Sequence, residues 1–531
     1  MSKMCLPLVL VGSLLAILSG LCGILIIMLT SNLPLTLYRA DQVRELDRLA
    51  IEQYDIPGLV LMQRAAESAY SLLKQLWPDA HALLVVCGAG NNGGDGYLLA
   101  CLAHADGKQV TVLQAADKAL LQGDAGRAWQ QWRDGGGITE PGENIESCIQ
   151  HADVIIDALM GTGLQRNISG EWAELVDRVN NADKPVLSID IPSGIDADTG
   201  VVRGIAIQAD ATVTYIGVKR GLLTADGPDQ AGQLYFDDLD VPEAVFEQQS
   251  SGQQILDEAL LAKLLPARAQ ATHKGQCGHV LIIGGDAGMA GAVRMAGEAC
   301  ARVGAGLVTI ATRPEHAAQI TVSRPELMCH GIETADQLEP LLAKASVVAI
   351  GPGLGKSDWA TELLAKVIET QLYLILDADA LKLIAQATVK RGRWILTPHP
   401  GEAATLLDAT TEQIQQDRFA AVKAIADRYH CVAVLKGCGS LVQTAYEETT
   451  YLCQQGNPGM ATAGMGDVLT GVIAGFLAQG LSLNDAAHLG VLIHALAGDL
   501  AADKGQRGLL ATDLFSCLRQ LVNPDQSEWQ T

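Results

Sequence analysis

A glycine-rich segment near the C-terminus carries the clearest chemistry in the sequence. Residues 459–471 read GMATAGMGDVLTG, in which Gly464, Met465 and Gly466 precede Asp467 at the start of an apolar run. Backbone N–H groups at a helix start bind anions, and a carboxylate beside them can accept the proton of an alcohol. The positive end of the helix also favours the ionised form of Asp467. The segment predicts phosphoryl transfer to a hydroxyl, with Asp467 as the base.

Two further loops favour this interpretation over a merely helix-stabilising role for Asp467. TPHPGE places His399 between two prolines, and KGCGS places Lys436 before glycines. Each loop follows an apolar run predicted as a strand, and open α/β sheets bind ligands beyond the carboxyl ends of their strands. The sequence has no G-x-x-x-x-G-K-[ST] motif, which excludes a P-loop kinase.

The first half of the chain has three polar loops, each at a predicted strand end. They are GAGNNGGDG at 88–96, DALMGTGL at 157–164 and SIDIPSGID at 188–196. Their oxygen-bearing side chains include Asn92, Asp157, Asp190 and Ser193. Such oxygens suit a hard cation, and glycines before a helix let a backbone approach a phosphate. One such Asp is more often a turn residue, but three loops at neighbouring strand ends favour a binding site.

The elements that must position these loops follow a repeating pattern. Short apolar runs alternate with helical stretches, which is typical of βαβ units and parallel sheets. The runs begin at residues 83, 110, 154, 186 and 211, and then at 279, 307, 347, 373, 394 and 432. A polar stretch, EAVFEQQSSGQQ at 243–254, separates the two series. Two α/β domains at 36–243 and 255–524, joined by a linker at 244–254, are therefore expected.

Composition and charge limit the function further. The chain has 531 residues, of which 49% are hydrophobic and 18% charged, so it is long and apolar enough for two large cores. Its net charge of −23 repels phosphate backbones, which argues against nucleic-acid binding. The twelve cysteines include no Cys-x-x-Cys pair, which favours a reduced, cytoplasmic protein.

The N-terminal segment, residues 1–35, has two interpretations. Residues 5–29 carry no charge and are numerous enough to span a bilayer, which predicts a membrane anchor with cytoplasmic catalytic domains. Alternatively, Met28 opens an ordinary start for a soluble enzyme, and the preceding residues belong to an over-extended gene start. Hydropathy does not separate the two interpretations.

Together, the three loops of the first half resemble the signature loops of the NAD(P)H-hydrate epimerase family over about residues 38–243. The resemblance implies a Rossmann-like fold and interconversion of the R and S epimers at C6 of hydrated nicotinamide. It implies substrate contacts from Asn91, Asn92, Gly93, Gly94, Asp95, Gly161, Thr162, Gly163, Leu164, Gln165, Arg166, Asn167 and Asp190. It also implies a potassium ion held by Asn92, Asp157 and Ser193.

Epimerisation requires proton transfer near the ring, for which Asp95 and Asp190 are unranked candidates. Lys219, in GVKRGL, follows a predicted strand and could counter a ligand phosphate. A solvated lysine is the expectation there, because lysines are seldom buried.

In the second half, the loops above join GGDAGMAGA at 284–292 and GPGLG at 351–355. The set resembles ribokinase-like ADP-dependent NAD(P)H-hydrate dehydratases over about residues 255–521. The resemblance implies contacts with the hydrated dinucleotide from Ala292, Gly353, His399 and Asp467. It implies contacts with ADP from Lys436, Gly437, Cys438, Gly439, Ser440 and Gly466. Cys438 and Ser440 replace the more typical Ala and Thr, and little effect is expected.

The implied reaction is phosphorylation of the C6 hydroxyl by ADP, followed by loss of phosphate, which restores NADH or NADPH and leaves AMP. Magnesium is expected with the nucleotide, with Glu402 as a candidate outer ligand. The expected partners are hydrated NADH or NADPH, ADP and further copies of the chain in a homo-oligomer. One alternative is a ribokinase-like kinase that uses ATP; another treats the first half as a non-catalytic binding module.

Overall fold

The computed structural model describes residues 33–164, 166–385 and 391–523, and the following elements lie within them. The strands are β1 Thr36–Tyr38, β2 Ala82–Cys87, β3 Gln109–Gln114, β4 Ile138–Pro141, β5 Val154–Ala158, β6 Val186–Ile189, β7 Ala211–Tyr215, β8 Val218–Lys219, β9 Gln233–Asp237, β10 Gln253–Ile255, β11 His279–Ile283, β12 Leu307–Thr312, β13 Met328–Gly331, β14 Val347–Ile350, β15 Tyr373–Leu376, β16 Trp394–Leu396, β17 Val432–Leu435, β18 Ser440–Thr444 and β19 Thr450–Cys453. The helices are α1 Ala40–Gln53, α2 Gly58–Leu76, α3 Asn91–Ala105, α4 Gly123–Asp134, α5 Ile145–His151, α6 Glu171–Asn180, α7 Gly227–Ala231, α8 Glu243–Phe246, α9 Ala259–Leu264, α10 Ala290–Arg302, α11 Pro314–Ser323, α12 Glu339–Leu342, α13 Asp358–Ile368, α14 Ala378–Ile384, α15 Pro400–Leu407, α16 Thr411–Gln416, α17 Arg418–Tyr429, α18 Met465–Ala478, α19 Leu483–Ala502 and α20 Leu514–Leu521.

The first sheet is parallel throughout, in the order β4-β3-β2-β5-β6-β7-β9. Its central strands are apolar on both faces: Leu83 and Val85 pack into one core, and Leu84 and Val86 into the other. Continuous apolar strands of this kind are stable only where helices cover both faces of the sheet. The predicted doubly wound α/β fold is confirmed.

The second sheet has twelve strands in the order β13-β12-β11-β14-β15-β16-β17-β18-β19-β10-β1-β8. Its first seven strands are parallel, and an antiparallel hairpin of β18 and β19 extends them. Two strands from the first half of the chain, β1 and β8, complete its far edge. The backbone of the first half is therefore part of the sheet of the second half.

The predicted linker, residues 244–254, joins the two halves through regular structure. It contains most of α8 and the first residues of β10, which pairs with both β1 and β19. The strand has three residues, of which Gln253 and Ile255 are buried, so it is too short and too polar to show apolar alternation in the sequence.

The order of the strands decides where the glycine loops meet. In the first sheet, the direction in which successive strands are added reverses between β2 and β5. In the second sheet, it reverses between β11 and β14. Loops 88–96 and 157–164 leave the first switch point, and loops 284–292 and 351–355 leave the second. Such switch points open crevices at the carboxyl ends of parallel strands.

Close helix packing fixes the start of α18. A Cβ atom at Gly471 would lie 2.0 Å from the carbonyl oxygen of Ala296 on α10, so the two helices pack backbone to backbone. Gly464, directly before α18, has a φ of 92° in the left-handed region. These two glycines set the direction and position of the helix end that carries Asp467.

Candidate active sites

In the second domain, Asp467 lies in the first turn of α18, as the sequence predicts. The backbone N–H groups of this turn have no partner within the helix, because the helix starts at Met465. Burial and repulsion by Asp377 and Glu402 raise the pKa of Asp467 to about 7, against attraction by Lys436. Burial therefore opposes the ionised form of Asp467 that the helix start favours.

Lys436 links the KGCGS loop to the start of α18. Its Nζ lies 2.8 Å from Oδ1 of Asp377 and 3.7 Å from Oε2 of Glu402. A Cβ atom at Gly466 would lie 3.2 Å from the same Nζ. Although burial opposes the charge, Asp377 and Glu402 raise the pKa of Lys436, which keeps it cationic. A fixed positive charge thus lies beside the N–H groups at the helix start.

Asp377 organises this cluster, and it was not among the residues predicted from the sequence. It is 1% exposed and accepts hydrogen bonds of 2.8 Å from the hydroxyls of Thr397 and Thr470 as well as from Lys436. It follows β15 directly, so its place at a parallel strand end, in LILDAD, was the available signal.

His399 stands at the rim of the same cluster. Its Nδ1 accepts hydrogen bonds from the N–H groups of Gly401 and Glu402, so it caps α15, and its side chain is 55% exposed. Glu402 in turn accepts a 2.9 Å hydrogen bond from the N–H of His399. With His399 and Lys436 beside it and 4% exposure, Glu402 is an internal ion-pair partner.

Ala292 and Gly353 meet at the switch point of the second sheet. A Cβ atom at Gly353 would lie 3.2 Å from the Cβ of Ala292 and 2.8 Å from that of Met289. One turn further along α10, Met295 reaches the glycine before α18: its Cε would be 2.6 Å from a Cβ atom at Gly464. The predicted dinucleotide residues therefore line neighbouring elements around the start of α18.

In the first domain, Asp190 forms a short ion pair with Lys219. Lys219 is 1% exposed and donates 3.0 Å hydrogen bonds to the hydroxyl of Thr214 and the carbonyl of Tyr215. The expectation of a solvated lysine is wrong, because β8 carries Lys219 into the fold beneath the carboxylate. Asp190 itself has a φ of 68°, in the left-handed region.

Two more carboxylates share this environment. Burial, with repulsion by Asp190 and Asp47, raises the pKa of Asp95 well above its usual range. Burial, against attraction by Lys219, raises the pKa of Asp47 to about 6. Asp47 lies on α1, far from the glycine loops in sequence, and no local motif marks it.

The segment Asn91–Asp95 lies in the first turn and a half of α3. The sequence pattern predicts a loop here, before the helix, but α3 begins at Asn91. A Cβ atom at Gly93 would lie 2.2 Å from the carbonyl oxygen of Gly88, and one at Gly96 2.5 Å from Ala158. These glycines let the helix begin directly against the strand ends, which brings Asn92 and Asp95 into the crevice.

The predicted potassium ligands cluster around Asp157. This carboxylate is 1% exposed, and it accepts hydrogen bonds from Ser188 Oγ (2.8 Å), Ser193 N (2.8 Å), Ser193 Oγ (2.6 Å) and Leu159 N (3.2 Å). Burial raises its pKa against these hydrogen bonds. Asn92 is 7% exposed, and neither polar atom of its side chain has a hydrogen-bond partner.

The loop after β5 borders the same crevice. A Cβ atom at Gly161 would lie 3.3 Å from the Cβ of Asn92 and 3.9 Å from Oδ2 of Asp190. Beyond it, the described residues of the predicted contact run are partly or fully exposed: Thr162, Gly163, Leu164, Arg166 and Asn167. Gln165 lies outside the described residues. The loop therefore places accessible groups beside two of the predicted substrate residues.

Some predictions concern metals and membranes. Within the described ranges, no three His, Cys, Asp or Glu side chains converge as ligands for a metal ion. No helix in that part of the chain is long and apolar enough to cross a bilayer. The candidate anchor, residues 5–29, lies outside it.

Comparison with known proteins agrees with both halves of this arrangement. A family model described as NAD(P)H-hydrate dehydratase matches residues 280–520, and one described as YjeF-related protein N-terminus matches residues 58–221. A Bacillus subtilis ADP/ATP-dependent NAD(P)H-hydrate dehydratase, co-crystallised with ATP and Mg²⁺, is 28% identical, with a TM-score of 0.46. That match covers 50% of this chain and 96% of the other.

Two full-length relatives cover both domains. The bifunctional NAD(P)H-hydrate repair enzyme of Coxiella burnetii is 50% identical over 489 residues, which is 92% of this chain and 99% of that protein. Its counterpart from Escherichia coli is 44% identical over 94% of this chain and 96% of that protein. The resemblance seen in the sequence is confirmed, and the chain belongs to the family of bifunctional NAD(P)H-hydrate repair enzymes.

Proposed function

We propose that the chain interconverts the R and S epimers of hydrated NADH and NADPH in its first domain. In its second domain, we propose that it dehydrates the S epimer at the expense of ADP. The observation that carries the proposal is Asp467 beside the N–H groups that start α18, with Lys436 fixed by Asp377 at the same point. This arrangement combines a base, an anion site and a cation.

The proposed dehydration has two steps. Asp467 accepts the proton of the C6 hydroxyl, whose oxygen forms a bond to the β-phosphorus of ADP, and the bond between that phosphorus and AMP breaks. Lys436 and the amides of Met465 and Gly466 offset the charge that develops on the moving phosphoryl group. Phosphate, a far better leaving group than hydroxide near neutral pH, then departs from C6 while the adjacent C5 gives up a proton to the departing phosphate or to water. The C5–C6 double bond forms, which restores NADH or NADPH.

In this proposal, the KGCGS loop and Gly466 bind the nucleotide. Gly437, Cys438, Gly439 and Ser440 follow Lys436 directly, so the loop and the catalytic cluster share one segment. Magnesium would accompany the nucleotide and neutralise phosphate charge. The described side chains do not fit a dedicated magnesium site, because Glu402 is engaged by His399 and Lys436. No step is assigned to the ion.

For epimerisation, the structure supports different roles for the two candidate carboxylates. Asp190 is held by its ion pair with Lys219, whereas the raised pKa of Asp95 favours its protonated form. A carboxylate paired with a cation suits a proton acceptor, and a buried carboxyl group that keeps its proton suits a donor. We therefore assign Asp95 as the proton donor and Asp190 as the acceptor.

The residues around Asp157 fit a potassium ion. The side-chain oxygen of Asn92 is buried without a partner, and the Asp157 carboxylate and the Ser193 hydroxyl supply further oxygens. A monovalent cation would satisfy that oxygen and neutralise a carboxylate that burial otherwise destabilises. Its chemistry would be binding and charge neutralisation near the substrate. Loss of potassium stimulation of R-epimer consumption in Asn92→Ala, with Asn144→Ala as an exposed control, would support this assignment.

The remaining predictions concern organisation. We propose the division into 36–243 and 255–524, with residues 244–254 as a structured connection rather than a free linker. A homo-oligomeric state, a cytoplasmic location and the membrane anchor at 5–29 stay predictions.

One assay tests the proposal against both alternatives. Purified S and R epimers of hydrated NADH are incubated separately with the full chain and ADP, and NADH absorbance is followed. The proposal predicts recovery of NADH from both, with the R epimer dependent on Asp95 and Asp190. A stable phosphorylated product formed only with ATP would favour the small-molecule kinase. Recovery from R that is unchanged in Asp95→Ala and Asp190→Ala would favour a non-catalytic first domain.

A further inference from the structure

The nucleotide loop of the second domain rests on the first domain. A Cβ atom at Gly439 would lie 2.2 Å from the carbonyl oxygen of Leu223 and 3.0 Å from the Cα of Thr224. Gly439 has a φ of 64°, in the left-handed region, so both the contact and the backbone conformation favour glycine there. The two domains thus meet backbone to backbone at the KGCGS loop.

A buried arginine connects the two backbones. Arg418, the first residue of α17, is 1% exposed. Its guanidinium donates to the carbonyl oxygens of Leu435 (3.4 Å), Lys436 (3.4 Å) and Gly439 (3.2 Å), at both ends of the loop. Its Nε donates at 3.1 Å to the hydroxyl of Thr224 in the first domain. Burial lowers the pKa of Arg418 to about 10, so the group is cationic near neutral pH.

The hydroxyl of Thr224 makes two hydrogen bonds at this point. It accepts from Arg418 and donates at 3.2 Å to the carbonyl oxygen of Cys438, the middle residue of the loop. Thr224 is completely buried, and its bond from Arg418 is buried as well, whereas Cys438 is an exposed residue. In a trans peptide, carbonyl and N–H point in opposite directions. The bond to Cys438 therefore turns the N–H of Gly439 to the opposite face of the loop.

Thr224 is held firmly on the first-domain side. A Cβ atom at Gly200 would lie 2.2 Å from the carbonyl oxygen of Thr224 and 2.5 Å from that of Gly221. The guanidinium of Arg220 stacks on the ring of Phe419, 4.3 Å from its centroid, next to Arg418. Lys219, where this segment begins, is the partner of Asp190. Residues 219–224 therefore run from the proposed epimerase site to the nucleotide loop.

We infer that Thr224 is a positioning residue for ADP, supplied by the epimerase domain to the dehydratase domain and acting through Arg418 and the carbonyl of Cys438. The inference rests on the proposed use of ADP by the second domain. Without the Thr224 hydroxyl, the buried Nε–H of Arg418 and the carbonyl of Cys438 lose this partner, and the peptide between Cys438 and Gly439 loses one of its constraints. Part of the free energy of nucleotide binding must then be used to order this peptide, which weakens binding.

The test compares Thr224→Val with Thr224→Ser in the full chain. Val replaces the hydroxyl with a methyl group of similar size, whereas Ser keeps the hydroxyl. We expect the KM for ADP and the dissociation constant of ADP, measured by calorimetry, to rise about tenfold in Thr224→Val, the effect of one buried hydrogen bond. The kcat and the KM for hydrated NADH should change less than twofold. Thr224→Ser should restore ADP binding to within about threefold of the wild type.

Thr212→Val is the matched control. Thr212 is also completely buried in the first domain and donates to a carbonyl, that of Ala231, but it makes no contact with the loop. It should leave the dissociation constant of ADP unchanged. If Thr224→Val does not fold, Thr224→Ala removes the hydroxyl without adding a methyl group against Cys438 and gives the same measurement.

The outcomes separate this inference from the proposed function. Tight ADP binding retained in Thr224→Val overturns the inference, as does an equal loss of affinity in Thr212→Val. A wild-type chain that binds ADP but does not restore NADH overturns the proposed function, and the calorimetric comparison still decides the role of Thr224. A wild-type chain that does not bind ADP overturns both.

Discussion

Lys436 and Asp377 form a buried ion pair, with Nζ 2.8 Å from Oδ1, at the point where the nucleotide loop meets the start of α18. Asp377→Asn keeps the size of the side chain but removes its charge, and it leaves Lys436 with Glu402, 3.7 Å away, as the nearer remaining anion. We expect a loss of about 2 to 4 kcal/mol in the free energy of unfolding, since a buried charge loses its main partner. The kcat/KM for ADP should fall at least about tenfold.

The same variant should change the pH dependence. Asp377 raises the pKa of Asp467, so its replacement should move the acidic limb of the kcat/KM profile to lower pH. Asp379→Asn is the control. Asp379 raises the pKa of Asp467 less than Asp377 does, so its replacement should shift the limb less. A larger shift in Asp379→Asn than in Asp377→Asn would contradict the assignment.

The dehydration rate of the wild-type chain should depend on a group with a pKa of about 7. Asp467 acts as a base, so the ionised form is the active one, and activity should fall about tenfold per pH unit below that value. Above about pH 8 the limb should level off. Initial rates of NADH recovery between pH 5 and pH 9, at saturating and at low ADP, give the profile. A rate that stays constant from pH 5 to pH 8 is incompatible with this role.

Asp467 should also make the stability of the fold depend on pH. Its pKa rises from 3.8 in the unfolded chain to about 7 in the folded one. The folded state therefore binds the proton more tightly, and stability is lost as the pH rises from about 4 through 7. Asp467→Asn should stabilise the fold at pH 8 by about 1 to 3 kcal/mol, after allowance for its partial exposure, and change little at pH 4. Thermal unfolding at both pH values measures this, and equal Tm changes at the two would contradict it.

In the first domain, Lys219→Met should impair epimerisation. It removes the cation that holds the partly buried Asp190, so the proposed proton acceptor loses its fixed position. Consumption of the R epimer should fall about ten- to a hundredfold. Lys263→Met, at an exposed lysine on α9, is the control and should have no effect. Wild-type R-epimer turnover in Lys219→Met would remove Lys219 and Asp190 from the mechanism.

Apolar runs in the sequence predicted the buried parallel strands of both sheets. Every apolar run predicted as a strand forms one, because parallel strands covered on both faces need continuous apolar residues. Eight strands of the described residues lie outside those runs. Among them, β1, β8 and β10 have only two or three residues each and are held by backbone pairing to distant segments. Their partners depend on topology, which residue periodicity does not encode.

The same distinction applies to the sites. Asp95, Asp190 and Asp467 were found because glycines surround them in sequence. Asp47, Asp377, Arg418 and Thr224 have no such surroundings, and only the packing of distant elements brings them to the sites. The burial of Lys219 and the raised pKa of Asp467 were missed for a related reason, since desolvation depends on the whole fold.

The most direct measurement is the single-turnover rate of S-epimer dehydration with ADP in Asp467→Asn, compared with the wild type at pH 8. Asparagine keeps the shape of the helix start and its N–H groups but does not accept the hydroxyl proton. If Asp467 is the base beside the anion site of α18, the rate should fall by about two to four orders of magnitude while ADP still binds. Full activity in Asp467→Asn would contradict that role.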